Sequence, residues 1–235
     1  MLKWVNRAIR LLDGVLGAVM IAAAALLLFI SVYSLMDNIR LYRGAADASL
    51  LTYKPPLDTP IRETEKISDK QAAWLYIEHT GIDYPVMQGA DNYEFLNRDP
   101  YGAFKLSGAI FLDFRNSKDF SDDYSMIYGH HMEHGAMFGS LDYFTDPSYF
   151  TEHSRGVLVT EEASYTLELF AVAYAPGDET ALFSPRRTTR ANVLDYISKH
   201  ALINTGCDEN ARIVALSTCA GETALSRLIV FGCIK

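Results

Sequence analysis

From Gly14 to Met36 the chain runs GVLGAVMIAAAALLLFISVYSLM without one charged side chain. At about 1.5 Å of rise per helical residue this stretch spans roughly 30–35 Å, enough to cross the hydrocarbon of a bilayer. A buried core helix is the alternative, but an all-apolar run of this length is hard to bury in a domain of a 235-residue chain, so a membrane-spanning helix is expected over 14–36. The stretch exceeds the apolar core of a cleaved signal peptide, and Tyr33-Ser34-Leu35-Met36 is a poor cleavage site. The helix is therefore expected to stay as an anchor, with Trp4 and Tyr33 suited to the two interfaces. Lys3, Arg7 and Arg10 outnumber Asp13 in the tail 1–13 and place it in the cytoplasm. Arg40 and Arg43 on the far flank weaken that asymmetry without reversing it. The bulk of the chain then lies outside the membrane.

Residues 37–60 read as a stalk, because Pro55, Pro56 and Pro60 end any continuing helix. The remaining 61–235 form one domain. IRETEKISDKQAA (61–73) reads as a surface helix over its entrance, and DNYEFLNRD (91–99) as a short helix capped by Asp91. Short apolar runs between turn signals predict strands at 74–78, 84–88, 107–114, 124–129, 155–162, 164–175, 212–218 and 228–234. The runs at 155–162 and 164–175 form a hairpin-like pair, and the last two runs are adjacent. Thr188 to Leu202 carries Val193, Leu194, Tyr196, Ile197 and Ala201 at helical spacing and predicts an amphipathic helix. About eight short strands with few helices indicate a mainly β chain, an eight-stranded closed or nearly closed barrel with peripheral helices. No internal repeat is evident.

A net charge of −8 argues against a nucleic-acid partner. Three cysteines, Cys207, Cys219 and Cys233, are too few and too odd in number for a disulfide scaffold. Cys207 and Cys233 come within reach of each other if the last two strands pair antiparallel. The preferred reading is two inert buried thiols.

The chemistry gathers in ARIVALSTCAGETALSR, 211–227. An apolar strand ends at Ser217-Thr218-Cys219, small residues follow, and Arg227 opens the next apolar run. Cys219 is thus presented at a strand end. A thiol of ordinary pKa near 8.5 needs a cationic neighbour to be a thiolate at neutral pH. His130, directly after Gly129 at the end of another apolar strand, can serve and can then protonate a leaving amine. His131 is the alternative partner. Arg227, always charged, suits an oxyanion; the plainer reading is an ion pair with Glu222. YGHHMEHG (128–135) also has a metal reading, with His130 and His134 four apart and Glu133 between them. The order is not His-Glu-x-x-His, and the flanking glycines favour a loop.

An apolar N-terminal anchor, a β-barrel, Tyr128-Gly129-His130, Leu216-Ser217-Thr218-Cys219 and Arg227 together resemble the sortases of Gram-positive bacteria, over roughly 60–235. IFLDFRN (110–116), YGHHM followed by Met137-Phe138, and the long helix at about 189–202 resemble class B. Ala215 stands where the family's Thr-Leu-x-Thr-Cys motif begins. The resemblance implies a cysteine transpeptidase that cleaves an Asn-Pro-x-Thr-like sorting signal of a secreted protein at a Thr–Gly or similar bond. A thioester on Cys219 would pass the protein to an amine of peptidoglycan or its precursor. It implies His130 as general acid and base, Arg227 at the oxyanion, Ser217 and Thr218 at the substrate, and no metal or organic cofactor. Two other readings stand beside it: a metal-dependent surface hydrolase using His130, Glu133 and His134, and a non-catalytic, membrane-tethered barrel that binds wall components.

Overall fold

A computed structural model describes residues 2–45, 48–219 and 226–235, with the side chain of Cys219 outside the description. It divides into two compact units, residues 1–43 and 44–235. The first is a single helix, α1 (Leu2–Ala45). Within it Trp4–Asp37 is long and apolar enough to cross a membrane.

The second unit is a barrel. Its strands are β1 (Gln71–Ile77), β2 (Asp83–Met87), β3 (Ile110–Leu112), β4 (Tyr124–Tyr128), β5 (Arg155–Thr160), β6 (Ser164–Pro176), β7 (Ala201–Asn204), β8 (Arg212–Cys219) and β9 (Ser226–Ile234). They pair in the order β5-β1-β2-β3-β4-β8-β9-β6, and β6 returns to β5, which closes a ring of eight; β7 adds to β6 beyond it. Closure leaves the ring without free edges. The hairpin β5–β6 and the adjacent pair β8–β9 follow the sequence expectation.

Alternation along β8 sets the layers. Ile213 and Ala215 pack with Tyr124 and Met126 of β4 and Ile229 and Phe231 of β9 against Val193, Tyr196 and Ile197. The last three belong to helix α4 (Arg190–His200), whose start is fixed by a capping box between Thr189 and Asn192. A short helix α3 (Thr180–Phe183) adds Leu182 to the same cluster. This helix-covered face is the outside of the barrel wall, so the alternate residues Val214, Leu216 and Thr218, all fully buried, face the interior.

Several expectations give way. Residues 61–73 are not a helix: a 3-10 turn covers only Ile61–Glu63, and β1 begins at Gln71. Gln71, Ala72 and Ala73 are all buried, and β1 pairs with β2 on one side and β5 on the other. Two-sided burial in the ring outweighs the helix propensity of the alanines. Residues 91–99 are turns rather than a helix. Asp91 does cap, accepting from the amides of Tyr93 and Glu94, but the chain then turns back toward β3. The run 107–114 is extended only over Ile110–Leu112, because Gly108 holds a left-handed φ of +59°. The strand β7 was not expected; it leaves α4 without an intervening turn. The stretch read as a stalk divides. Residues 37–45 continue α1. A 3-10 helix over Ala48–Tyr53 places Leu50 in a buried cluster with Ile61, Trp74 and Val159. Lys54 in turn reaches the carboxylate of Asp83 at 2.6 Å.

Cys207 and Cys233 form a disulfide, with Cα atoms 6.2 Å apart, within the span such bonds require. The antiparallel pairing of β8 and β9 puts Cys233 opposite Ile213, and the segment after β7 carries Cys207 to it. The expectation of two inert thiols is therefore replaced.

Candidate active site

Three strand ends meet. In the parallel pair β4–β8, Tyr128 lies abreast of Ser217, and in the antiparallel pair β8–β9, Ser217 lies abreast of Ile229 and Cys219 abreast of Arg227. Positions two apart share a face of a strand. Tyr128, Ser217 and Ile229 thus form one row on the outer face, and positions 219 and 227 form the next. The Gly129 amide donates to the Ser217 carbonyl at 3.1 Å, which carries the β4–β8 ladder one residue further and delivers His130 beside the end of β8. Gly129 is required there: a Cβ would stand 2.5 Å from Ile110 and 2.7 Å from the Phe138 ring.

His130 is half-buried, and its Nε2 lies 2.7 Å from the Leu96 carbonyl oxygen. A carbonyl only accepts, so Nε2 carries a proton in both charge states of the ring. The second ring nitrogen, Nδ1, is then the one that gains and loses a proton. His131 is directed elsewhere, with its Nε2 2.7 Å from the Asp142 carboxylate. His134 sits in a 3-10 turn, Glu133–Gly135, at a φ of +58°. YGHHMEHG therefore does not offer His130 and His134 from one helix face. Among the described residues no three His, Cys, Asp or Glu side chains converge as a metal site would require. Glu222, the ion-pair partner considered for Arg227, lies outside the described residues.

Behind the first row lies a buried charge network absent from the sequence reading. The Asp113 carboxylate is fully buried. It accepts from Arg115 Nε and Nη2 at 2.8 and 2.7 Å, from Asn92 Nδ2 at 2.9 Å and from the Tyr128 hydroxyl at 3.1 Å. Arg115 also donates to the Phe183 carbonyl at 2.8 Å, tying α3 to the network. Burial pushes the Asp113 carboxyl up, but the hydrogen bonds from Arg115 and Asn92 outweigh it and hold the group below the ordinary carboxylate range. Burial and then the Asp113 charge push the Tyr128 hydroxyl far up, so it stays neutral, with Arg227 near enough for its charge to oppose the shift. The Tyr128 proton is committed to Asp113, and the Arg115 guanidinium that holds Asp113 also lies at the Tyr128 hydroxyl.

Ser217 and Thr218 are both buried, and their hydroxyls have no hydrogen-bond partner among the described residues. Ser217 shares the outer row with Tyr128, whereas Thr218 faces the barrel interior. A cleft of about 650 Å³ lined by Arg155, Glu168, Cys207, Cys233 and Lys235 lies at the other end of the β8–β9 pair.

The sortase domain family matches residues 75–234. Sortase B of Listeria monocytogenes is 30% identical over 182 residues, covering 75% of this chain and 73% of the relative. Sortase B of Staphylococcus aureus is 28% identical over 182 residues, covering 73% of each. Among solved structures, Spy0129 of Streptococcus pyogenes, described as a class B sortase involved in pilus biogenesis, superposes with a TM-score of 0.67. It has 32% identity, over 82% of this chain and 100% of that one. A Staphylococcus aureus sortase B–substrate complex has the same fold, with a TM-score of 0.69 over 86% of this chain and 97% of that one at 24% identity.

Proposed function

The chain belongs to the sortase family, class B, the cysteine transpeptidases, and from that premise we propose that Cys219, His130 and Arg227 carry the reaction on a secreted protein's C-terminal sorting signal. The observation that carries the assignment is the register that sets Cys219 opposite Arg227 while β4 delivers His130 beside them.

The Cys219 thiolate attacks the carbonyl carbon of the scissile Thr–Gly or similar bond of an Asn-Pro-x-Thr-like signal. Arg227 donates to the oxyanion of the tetrahedral intermediate. The C–N bond then breaks, and His130 gives its Nδ1 proton to the departing amine. The enzyme is left as a thioester. An amine of peptidoglycan or its precursor passes a proton back to Nδ1, attacks the thioester and releases the thiolate. The Leu96 carbonyl serves the cycle by pinning Nε2, which turns Nδ1 alone into the working nitrogen. Ser217 on the outer row and Thr218 on the interior face, both buried with hydroxyls unpartnered among the described residues, are the strand residues that would bind the signal. The tail 1–13 lies in the cytoplasm, 14–36 spans the membrane, and the domain works outside, where secreted proteins and wall precursors both pass. The steps call for no metal or organic cofactor.

Turnover of a sorting-signal peptide by His130→Ala and His131→Ala tests the assignment. His130→Ala is expected to lose about 10²-fold or more in kcat, in the range of general acid–base catalysis, and His131→Ala to retain activity near the parent's. The reverse pattern would move the role to His131.

A further inference from the structure

We propose that the remote disulfide is made through Cys207. Cys207 is the entry thiol that meets an external disulfide donor, Cys233 is the resolving thiol, and Arg190 is the cation that activates the entry sulfur. The two bonded cysteines are held differently. Cys233 is 2% exposed near the end of β9, abreast of Glu168 on β6 and Ile213 on β8. The barrel fixes it and shields it. Cys207 is half-buried in a stretch, 205–208, that is neither helix nor strand, with exposed residues on both sides. Both cysteines line the cleft of about 650 Å³ at this end of the β8–β9 pair, so a donor entering the cleft meets Cys207 first. Arg190 Nη2 lies 3.6 Å from Cys207 Sγ, and the guanidinium is itself held by the carbonyls of Ala211 and Asp208. A fixed cation at that distance favours thiolate over thiol when the bond is open. The charged side chains lining the cleft, Arg155, Lys235, Glu168 and Asp208, cancel one another in sign, which leaves Arg190 as the charge set on the sulfur.

The exchange runs in two steps. The Cys207 thiolate attacks one sulfur of the donor, the donor's S–S bond breaks, and its other sulfur leaves as a thiolate. Cys233 then loses its proton to solvent and attacks Cys207 Sγ. The Cys207–Cys233 bond forms, and the donor's remaining sulfur leaves as a thiolate and takes up a proton. Two electrons pass from the pair to the donor, which ends as two thiols. This order requires the barrel to form before the bond, and the barrel then sorts the cysteines. Cys219 stands six positions along β8 from Ile213, the residue abreast of Cys233. At about 3.3 Å per residue that is roughly 20 Å, far beyond the Cα separation of about 7 Å that a disulfide tolerates. Pairing of Cys233 with Cys219 is thus excluded by the register, and Cys207 is the partner within reach.

The test uses the full chain in detergent, reduced and then freed of reductant, with Cys219→Ala in every variant so that only the pair reports. Oxidised glutathione is the donor, and acid-quenched samples are read by intact mass. The near-UV circular dichroism of the reduced chain is expected to match that of the oxidised one. Cys233→Ser is expected to accumulate a glutathione adduct on Cys207. Cys207→Ser is expected to react at Cys233 at least about ten-fold more slowly, because that thiol is buried, and to catch up in urea. With both cysteines present, Arg190→Gln should slow closure of the bond several-fold and Arg190→Lys should restore most of the rate. Equal adduct rates at the two cysteines of the folded chain, or a faster rate at Cys233, would overturn the entry role of Cys207. Loss of the native near-UV signal on reduction would overturn it as well, since the bond would then precede the barrel. An unchanged closure rate in Arg190→Gln would remove the guanidinium from the account.

Discussion

The two ends of the β8–β9 pair are held by different physics. At the end with Cys219 and Arg227, the neighbouring strand β4 is braced by the buried Asp113 carboxylate and its donors Arg115, Asn92 and Tyr128. At the other end the brace is covalent, the Cys207–Cys233 disulfide, supported by Arg190 donating to the carbonyls of Ala211 and Asp208. A charge network answers to pH and a disulfide to redox state. The disulfide accords with the proposed placement of the domain outside the cell, where such bonds persist, and it leaves Cys219 as the one cysteine of the three not consumed in the bond. The end proposed to react is thus held by buried charge and the remote end by a covalent bond.

Three changes separate the two braces, from the largest expected effect to the smallest. Asp113→Asn removes a fully buried charge from its partners and is expected to cost about 3–5 kcal/mol of stability, read by urea unfolding at pH 7. Because the folded-state pKa of Asp113 lies below its unfolded value of about 3.9, its contribution is fully present above that value and is lost as pH falls through the folded one. The difference between parent and variant should therefore hold from pH 7 to about pH 5 and shrink below pH 4. A constant difference down to pH 2 would show that the carboxylate charge is not what stabilises that end.

Cys233→Ser opens a loop with a sequence separation of 26. Chain entropy alone sets the cost at about 3–4 kcal/mol, or roughly 6–16 °C in Tm for a domain of this size. Differential scanning calorimetry of parent and variant, each with and without reductant, reads it. The variant should not respond to reductant, and kcat below its Tm should match the parent's. A large fall in kcat would mean that the remote brace also positions the site.

Tyr128→Phe removes only the hydroxyl that donates to Asp113 and that the Arg227 charge acts on. As a positioning residue it is expected to be worth about ten-fold in kcat, equivalent to about 1.4 kcal/mol, with KM nearly unchanged. In an Arg227→Ala background the same substitution should have little further effect. An undiminished ten-fold loss there would uncouple Tyr128 from Arg227.

Much of this was legible in the chain. Eight strand runs bounded by turn residues led to the ring of eight, and apolar spacing at 193, 194, 196 and 197 led to α4. The residues proposed for the reaction, Cys219, His130 and Arg227, stood out because each marks the end or start of an apolar run. What stayed hidden depends on contacts distant in sequence. Asn92, Asp113, Arg115 and Tyr128 converge only once β3 and β4 pair, although an Asp-x-Arg at the end of an apolar strand was a visible cue. The Leu96 carbonyl is a backbone group, on which side-chain identity is silent. At the end of the helix expected over 61–73, residues 71–73 are instead taken into β1, where burial on both sides overrode local propensity, and β7 is too short and too directly joined to α4 to announce itself.

The central claim is that Cys219 holds the acyl group. Intact-mass measurement of the full chain in detergent, with a library of sorting-signal peptides and no amine acceptor, tests it most directly. The account predicts an adduct of the peptide's N-terminal fragment, less water, mapped to Cys219, released by hydroxylamine and absent from Cys219→Ala. An adduct on another residue, or peptide cleavage by Cys219→Ala, would contradict it.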